Sequence, residues 1–264
     1  MMGMKFKEIT DIIEKIAPSF LVEEWDNDGI QIKTSNDDIE KILIALEINE
    51  EVIQEAIMKQ VGLIITHHPL FFEDVKQINR DTTQGRHACD LIIHGISVYS
   101  SHTTFDKAIG GNNDCLIGML HLDMTSLVGT GNFQEFGIGR LISLKKPMTL
   151  EQVRLILMRQ LDIPECEIRY IGNKNKEIKI IGVCTGSGAS LLEDAIDNKC
   201  DLLITGDVKY HDAQKAKSSG ISLIDAGHFH TEKIFARNFG EKLVKLSGGK
   251  VKVILSQINL NPFE

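Results

Sequence analysis

Three short segments place histidines and carboxylates directly after apolar runs: LIITHHPLF with His67 and His68, SHTTFD with His102 and Asp106, and GHFHTE with His228 and Glu232. Imidazole nitrogens and carboxylate oxygens are the donors that borderline divalent cations prefer, and a run of five or six of them is enough for two ions. The chemistry to which these residue types point is a dinuclear metal centre. Successive strand residues face opposite ways, so His67 and His68 serve one site only where their strand has ended. Pro69 holds His68 extended and blocks a helix at that point, which suits a loop in which neighbouring imidazoles address two different ions. Asp106 supplies a carboxylate able to bridge two cations, while His102 is read as orienting a ligand rather than binding. His228 and Glu232 flank an expected helix start, with Glu232 close to the positive end of the helix dipole.

The remaining histidines divide differently. His230 is one residue out of phase with His228 and is expected to face solvent; His87, His94 and His121 have no carboxylate partner in a motif and are read as structural. In GDVKYHDAQKA, Asp207 and His211 follow a strand and are placed on the rim of the same cleft, where they would relay protons or hold substrate. CTGSGAS, residues 184–190, is a strand-to-helix turn whose backbone amides could take an anion, although a lone GxG is a weak signal.

These segments need elements to carry them. Apolar runs of strand length, at 41–46, 62–66, 96–100, 179–184, 202–205 and 222–225, alternate with amphipathic stretches of helix length. That alternation predicts an α/β fold: two similar α/β domains, each a mainly parallel sheet flanked by helices, with the metal site at their junction. Sliding the chain on itself by 139 residues aligns the segment from Ile42 with that from Ile181 without a gap, and pairs Ile42/Ile181, Ala56/Ala195, Ile57/Ile196, Leu63/Leu202, Ile65/Ile204 and Thr66/Thr205. Further on, the offset falls to 125 at Gly95/Gly220 and to 126 after one inserted residue, which sets His102-x3-Asp106 on His228-x3-Glu232. The duplication predicts a first domain over 1–128, a second over 129–228 with its entry in the glycine-rich GTGNFQEFG, and a return of 229–264 to the first. In that last segment TEKIFARNFGEKLVKLSGG reads as one helix with Thr231 as N-cap and a glycine pair as stop, followed by a closing strand in VKVILSQI.

Composition narrows the classes. A net charge of −8, from 29 basic and 37 acidic residues, argues against a chain whose task is gripping a nucleic-acid backbone. Five cysteines with no CxxC pair fit a reducing compartment, and the absence of any run near 20 apolar residues argues against a membrane span. A cytoplasmic location is the expectation.

With WDNDGIQI (residues 25–32), THHPLFF, SHTTFD, GDVKYHDA and GHFHTE in this order, the chain resembles the Nif-three-like family, labelled GTP cyclohydrolase I type 2 homologs. The resemblance covers essentially the whole chain. It implies a two-domain α/β protein with two divalent ions per subunit (Zn, Mn, Fe or Mg) held by His67, His68, Asp106, His228 and Glu232, and a ring-shaped homohexamer built from dimers. It also implies a metal-dependent hydrolase acting on a nucleotide, by opening the imidazole ring of GTP, with a non-catalytic metal-binding adaptor or metal-trafficking protein as the alternative. Where the family has SHTNLD, this chain carries Thr104 and Phe105, a departure expected to bear on substrate rather than on metal.

Overall fold

The computed structural model describes residues 3–263. The chain forms two compact units, Met1–Gly111 with Phe235–Glu264, and Asn112–Ile234. Both boundaries differ from those expected. GTGNFQEFG joins the strand Met124–Leu127 to its antiparallel neighbour Arg140–Thr149, and so is a hairpin connection inside the second unit. Its glycines read equally well as linker or loop; the buried Phe133 in its 3-10 turn anchors it to the second unit's core.

The first unit is built on a five-stranded sheet, in which Lys252–Leu255, Lys41–Ala45, Leu63–Thr66 and Ser97–Ser100 run parallel and Gly29–Ile32 closes the edge antiparallel. Ile42, Leu43, Ile44, Leu63, Ile64 and Ile65 are all fully buried, as both faces of a helix-covered parallel sheet must be. Helix Phe6–Ile16 buries Phe6, Ile9, Ile12, Ile13 and Ile16, a helical spacing that gives one apolar stripe. Helix Glu50–Lys59 starts where Asn49 Oδ1 accepts the Val52 amide at 2.8 Å. The last segment rejoins this unit because Lys252–Leu255 pairs with Lys41–Ala45, and buried Glu55 pins its end through Ser256 Oγ (2.6 Å) and the Gln257 amide (3.2 Å).

The second unit's sheet is mixed rather than mainly parallel. Glu177–Val183, Leu202–Thr205 and Ser222–Asp225 are parallel, whereas Met124–Leu127, Arg140–Thr149 and Arg169–Ile171 are antiparallel additions. Leu202 and Ile204 enter one apolar cluster and Leu203 another, so this sheet too is covered on both faces.

The internal repeat is visible in the register. Ile42 pairs with Leu63 as Ile181 pairs with Leu202, a shift of 139, and Thr66 pairs with Ser100 as Thr205 pairs with Asp225. The Ser101 amide then donates to Thr66 O as the Ala226 amide donates to Thr205 O, so the inserted residue is Gly227, whose φ of 80° suits a residue without a side chain.

After it the expected single helix is two: a one-turn helix His228–Glu232 and the longer Phe235–Ser247, stopped by Gly248 and Gly249 at positive φ. Thr231 is therefore not an N-cap but lies inside the first, where its hydroxyl accepts the Gly186 amide at 2.9 Å. Among the described residues no helix is long and apolar enough to cross a membrane, and the five cysteines are free thiols. Burial pushes the Cys200 thiol up to about 12, which makes it a packing residue.

Candidate metal centre

In the first unit the donors gather where the parallel strands end. The strand Leu63–Thr66 stops at Thr66, and the amides of His67 and His68 both donate to Leu46 O, at 3.1 and 2.9 Å. With the alternation broken, the two rings lie on one side, their centroids 5.3 Å apart. His102 follows the neighbouring strand and completes a group in which one nitrogen each of His67, His68 and His102 lie within 4.8 Å of one another. Asp106, buried on the one-turn helix Thr103–Lys107, brings Oδ1 to 3.6 Å from His67 Nε2.

The other ring nitrogen of each imidazole is anchored. His67 Nδ1 donates to the Ser101 carbonyl (2.9 Å), His68 Nδ1 meets Glu47 Oε2 (3.1 Å), and His102 Nδ1 meets Asp26 Oδ1 (2.9 Å). An oxygen that only accepts fixes the proton on Nδ1 and leaves the lone pair on Nε2. Burial works to raise the Asp26 carboxyl, but the His102 hydrogen bond and charge and the two Thr103 hydrogen bonds outweigh it and hold its pKa below the ordinary value. Asp28 is shifted the other way, because burial dominates over its hydrogen bonds from Thr104 and the His102 amide.

Behind the imidazoles lies an aromatic stack. Phe235 packs on His67 at 5.0 Å between ring centroids, and Phe105 meets Phe235 and Phe239 at 5.4 and 5.2 Å. The two residues by which this chain departs from SHTNLD thus face inward: Thr104 Oγ1 donates to Asp28 at 2.8 Å and Phe105 is fully buried. Both residues therefore pack behind the candidate donors.

In the second unit His228 and Glu232 share one face of their one-turn helix. Glu232 Oε2 lies 2.9 Å from His228 Nε2, while Asp207 Oδ2 holds His228 Nδ1 at 2.7 Å. Glu232 lies at the end of a single turn rather than in the first turn of a long helix, so its position owes nothing to an extended helix dipole. Asp207 stands at a φ of 54°, in the left-handed region that Asp tolerates. His211 is exposed on the first turn of helix Tyr210–Ser219, edge-on to Tyr210.

His230 is not surface-facing. It is buried, its Nε2 2.7 Å from Glu167 Oε2. Nor are the Gly186 and Gly188 amides of the 184–190 turn open to an anion, because Gly186 N donates to Thr231 Oγ1 and Gly188 N to Thr205 Oγ1, at 2.9 and 2.7 Å. Gly186 is needed for room: a Cβ there, at φ 64°, would stand 2.0 Å from Glu232 Oε1.

Several residues around the donors went unread in the sequence. Asp26 and Asp28 stand in WDNDGIQI, more than 70 positions from the histidine segment they grip, and no local spacing links the two. Glu47 had a signal, as a carboxylate just past the end of the strand Lys41–Ala45. Ser101 acts through its carbonyl, which residue type does not reveal.

The chain matches the Duf34/NIF3 (NGG1p interacting factor 3) family over residues 4–262. It is 37% identical over 262 residues to a Clostridium perfringens (strain 13 / Type A) protein called GTP cyclohydrolase 1 type 2 homolog, with 99% of each chain covered. A Clostridium acetobutylicum protein of the same name is 34% identical over 269 residues, covering 100% of this chain and 99% of its own. Among solved structures, a Staphylococcus aureus hypothetical protein superposes with a TM-score of 0.89 at 26% identity, with 99% of both chains covered. With the family matched from end to end and relatives of more than 30% identity aligned over their full length, this chain is a member of the Duf34/NIF3 family.

Proposed function

We propose that this protein is a metal-dependent hydrolase acting on a nucleotide or a related small heterocycle at a dinuclear centre. The observation that supports it best is the anchoring of His67 and His68: each has Nδ1 on an oxygen acceptor, the arrangement that readies Nε2 for a cation. The donor chemistry fits borderline divalent ions such as Zn or Fe better than Mg or Mn, because it is rich in nitrogen. His228 and Glu232 alone are too few to hold an ion, since protein sites ordinarily use three or four donors. That shortfall supports the reading that they act together with His67, His68 and Asp106 in one centre.

When bound, a pair of cations would supply Lewis acidity and an acidified water. The chain's own residues would do the rest. Asp207, with one oxygen on His228 and its side chain half exposed, would orient that imidazole and exchange protons with solvent, as would His211 on the adjoining helix turn. The substrate class rests on the name carried by relatives, GTP cyclohydrolase 1 type 2 homolog. Assembly as a ring of six built from dimers, and residence in the cytoplasm, belong to the same proposal on the strength of resemblance.

The test is turnover. Purified protein loaded separately with Mn²⁺, Zn²⁺, Fe²⁺ or Mg²⁺ is expected to hydrolyse GTP or a related nucleotide with at least one of them, and His67→Ala to abolish that activity while leaving the circular dichroism spectrum intact. Turnover unchanged in His67→Ala would eliminate the scheme. Stoichiometric, exchangeable metal with no reaction on any nucleotide would instead make the ions cargo, as in a metal-trafficking protein.

A further inference from the structure

The segment after the strand Ser97–Ser100 is held by two acidic side chains in a way that nothing assigned so far explains. Asp26, whose side chain is wholly buried, spreads its two oxygens over His102 and Thr103: Oδ1 lies 2.9 Å from His102 Nδ1, and Oδ2 accepts from Thr103 Oγ1 at 2.6 Å and from the Thr103 amide at 3.2 Å. Asp28 takes the backbone of the same turn, accepting from the His102 amide at 2.8 Å and from the Thr104 amide and hydroxyl at 3.1 and 2.8 Å. Two carboxylates thus satisfy three successive amides that no strand or helix partner takes. Both come from WDNDGIQI, and the loop carrying them is itself tied down, since Asn27 Nδ2 donates to Phe71 O at 2.6 Å and the Phe71 amide donates to Gln31 Oε1 at 3.1 Å.

The consequence falls on His102. Its ring is edge-on to His67 and to His68, at 5.1 and 5.7 Å between centroids, and one of its nitrogens belongs to the group lying within 4.8 Å. Trp25 and Phe72 stand edge-on at two more sides of the ring, at 6.0 and 5.8 Å between centroids.

We propose that Asp26 is a positioning residue that locks His102 in the Nδ1–H tautomer, and that His102 thereby serves as a further imidazole donor to a cation beside His67 and His68. His102 is then a ligand rather than the orienting group expected from the sequence. The inference rests on the metal-binding half of the reading above and not on any hydrolase activity.

It commits to a particular proton position, which is measurable without metal or substrate. In the metal-free full-length protein, nitrogen-15 NMR of the imidazoles is expected to show His102 with Nδ1 protonated and Nε2 bearing the lone pair. In Asp26→Asn, whose amide can keep Thr103 while donating to Nδ1, the proton is expected to move to Nε2. Zinc affinity of that variant should fall by about 10- to 100-fold, the range seen when the partner of a ligating histidine is removed. His102→Ala should weaken zinc by a similar factor. Nε2–H in the wild-type protein would overturn the proposal, even if Asp26→Asn failed to fold. A folded Asp26→Asn with unchanged tautomer or unchanged zinc affinity would overturn it too. Absence of turnover in a wild-type protein that shows these tautomers and binds zinc would count against the hydrolase reading alone.

Discussion

Glu232→Ala is expected to strip the protein of tightly held divalent metal and of any metal-dependent turnover. The side chain is nearly inaccessible, at 3% exposed, and its described contact is with His228 Nε2 at 2.9 Å. A buried carboxylate beside an imidazole nitrogen is the kind of donor a divalent cation takes, so its removal is expected to cost metal. The same loss should follow without touching a donor. In Gly186→Ala the new Cβ would stand 2.0 Å from Glu232 Oε1 and the carboxylate must swing away. Gly220→Ala is the control, because it imposes a comparable positive φ, 75°, but a Cβ there meets nothing within 4 Å. Both alanines should cost about 1–2 kcal/mol of backbone strain. Only Gly186→Ala should lose metal, as read by elemental analysis after dialysis, and equal metal in the two glycine variants would contradict the account.

The second large effect is on stability. Phe105→Ala removes a fully buried ring that meets Phe235 and Phe239, and deletions of this kind cost about 3–5 kcal/mol. For a chain of this size that corresponds to a fall on the order of 10 °C in the melting temperature of the first unit. Because Phe235 packs directly on His67, metal affinity should drop as well, although no donor has been altered. A calorimetric scan of the metal-free protein separates the two terms. A shift below about 2 °C would mean that the aromatic stack does not support the donors.

What the sequence revealed, and what it withheld, follows from the range of each signal. Fully buried parallel strands are continuous apolar runs, so Leu202–Thr205 and Ser222–Asp225 were legible to the residue, and the shift of 139 between repeats survives in the pairing register of Ile42 with Leu63 and Ile181 with Leu202. The antiparallel strand Arg140–Thr149 was not, because its exposed end, with Lys145, Lys146 and Pro147, breaks the apolar run. The five donors first read from His/Asp/Glu spacing each lie beside another candidate donor within their own unit. The groups that set their tautomers were hidden, since Asp26, Glu47 and the Ser101 carbonyl reach their imidazoles across the fold rather than along the chain. The division of the last helix was also out of reach, because the break between Glu232 and Phe235 carries no glycine or proline.

The most direct measurement is the metal content of each subunit. Protein purified without chelator and equilibrated with zinc or manganese is expected to retain two divalent ions per chain after exhaustive dialysis, and the triple variant His67→Ala, His228→Ala, Glu232→Ala none. A wild-type chain that retains no ion, or a triple variant that keeps two, would contradict the claim that these side chains form a metal centre.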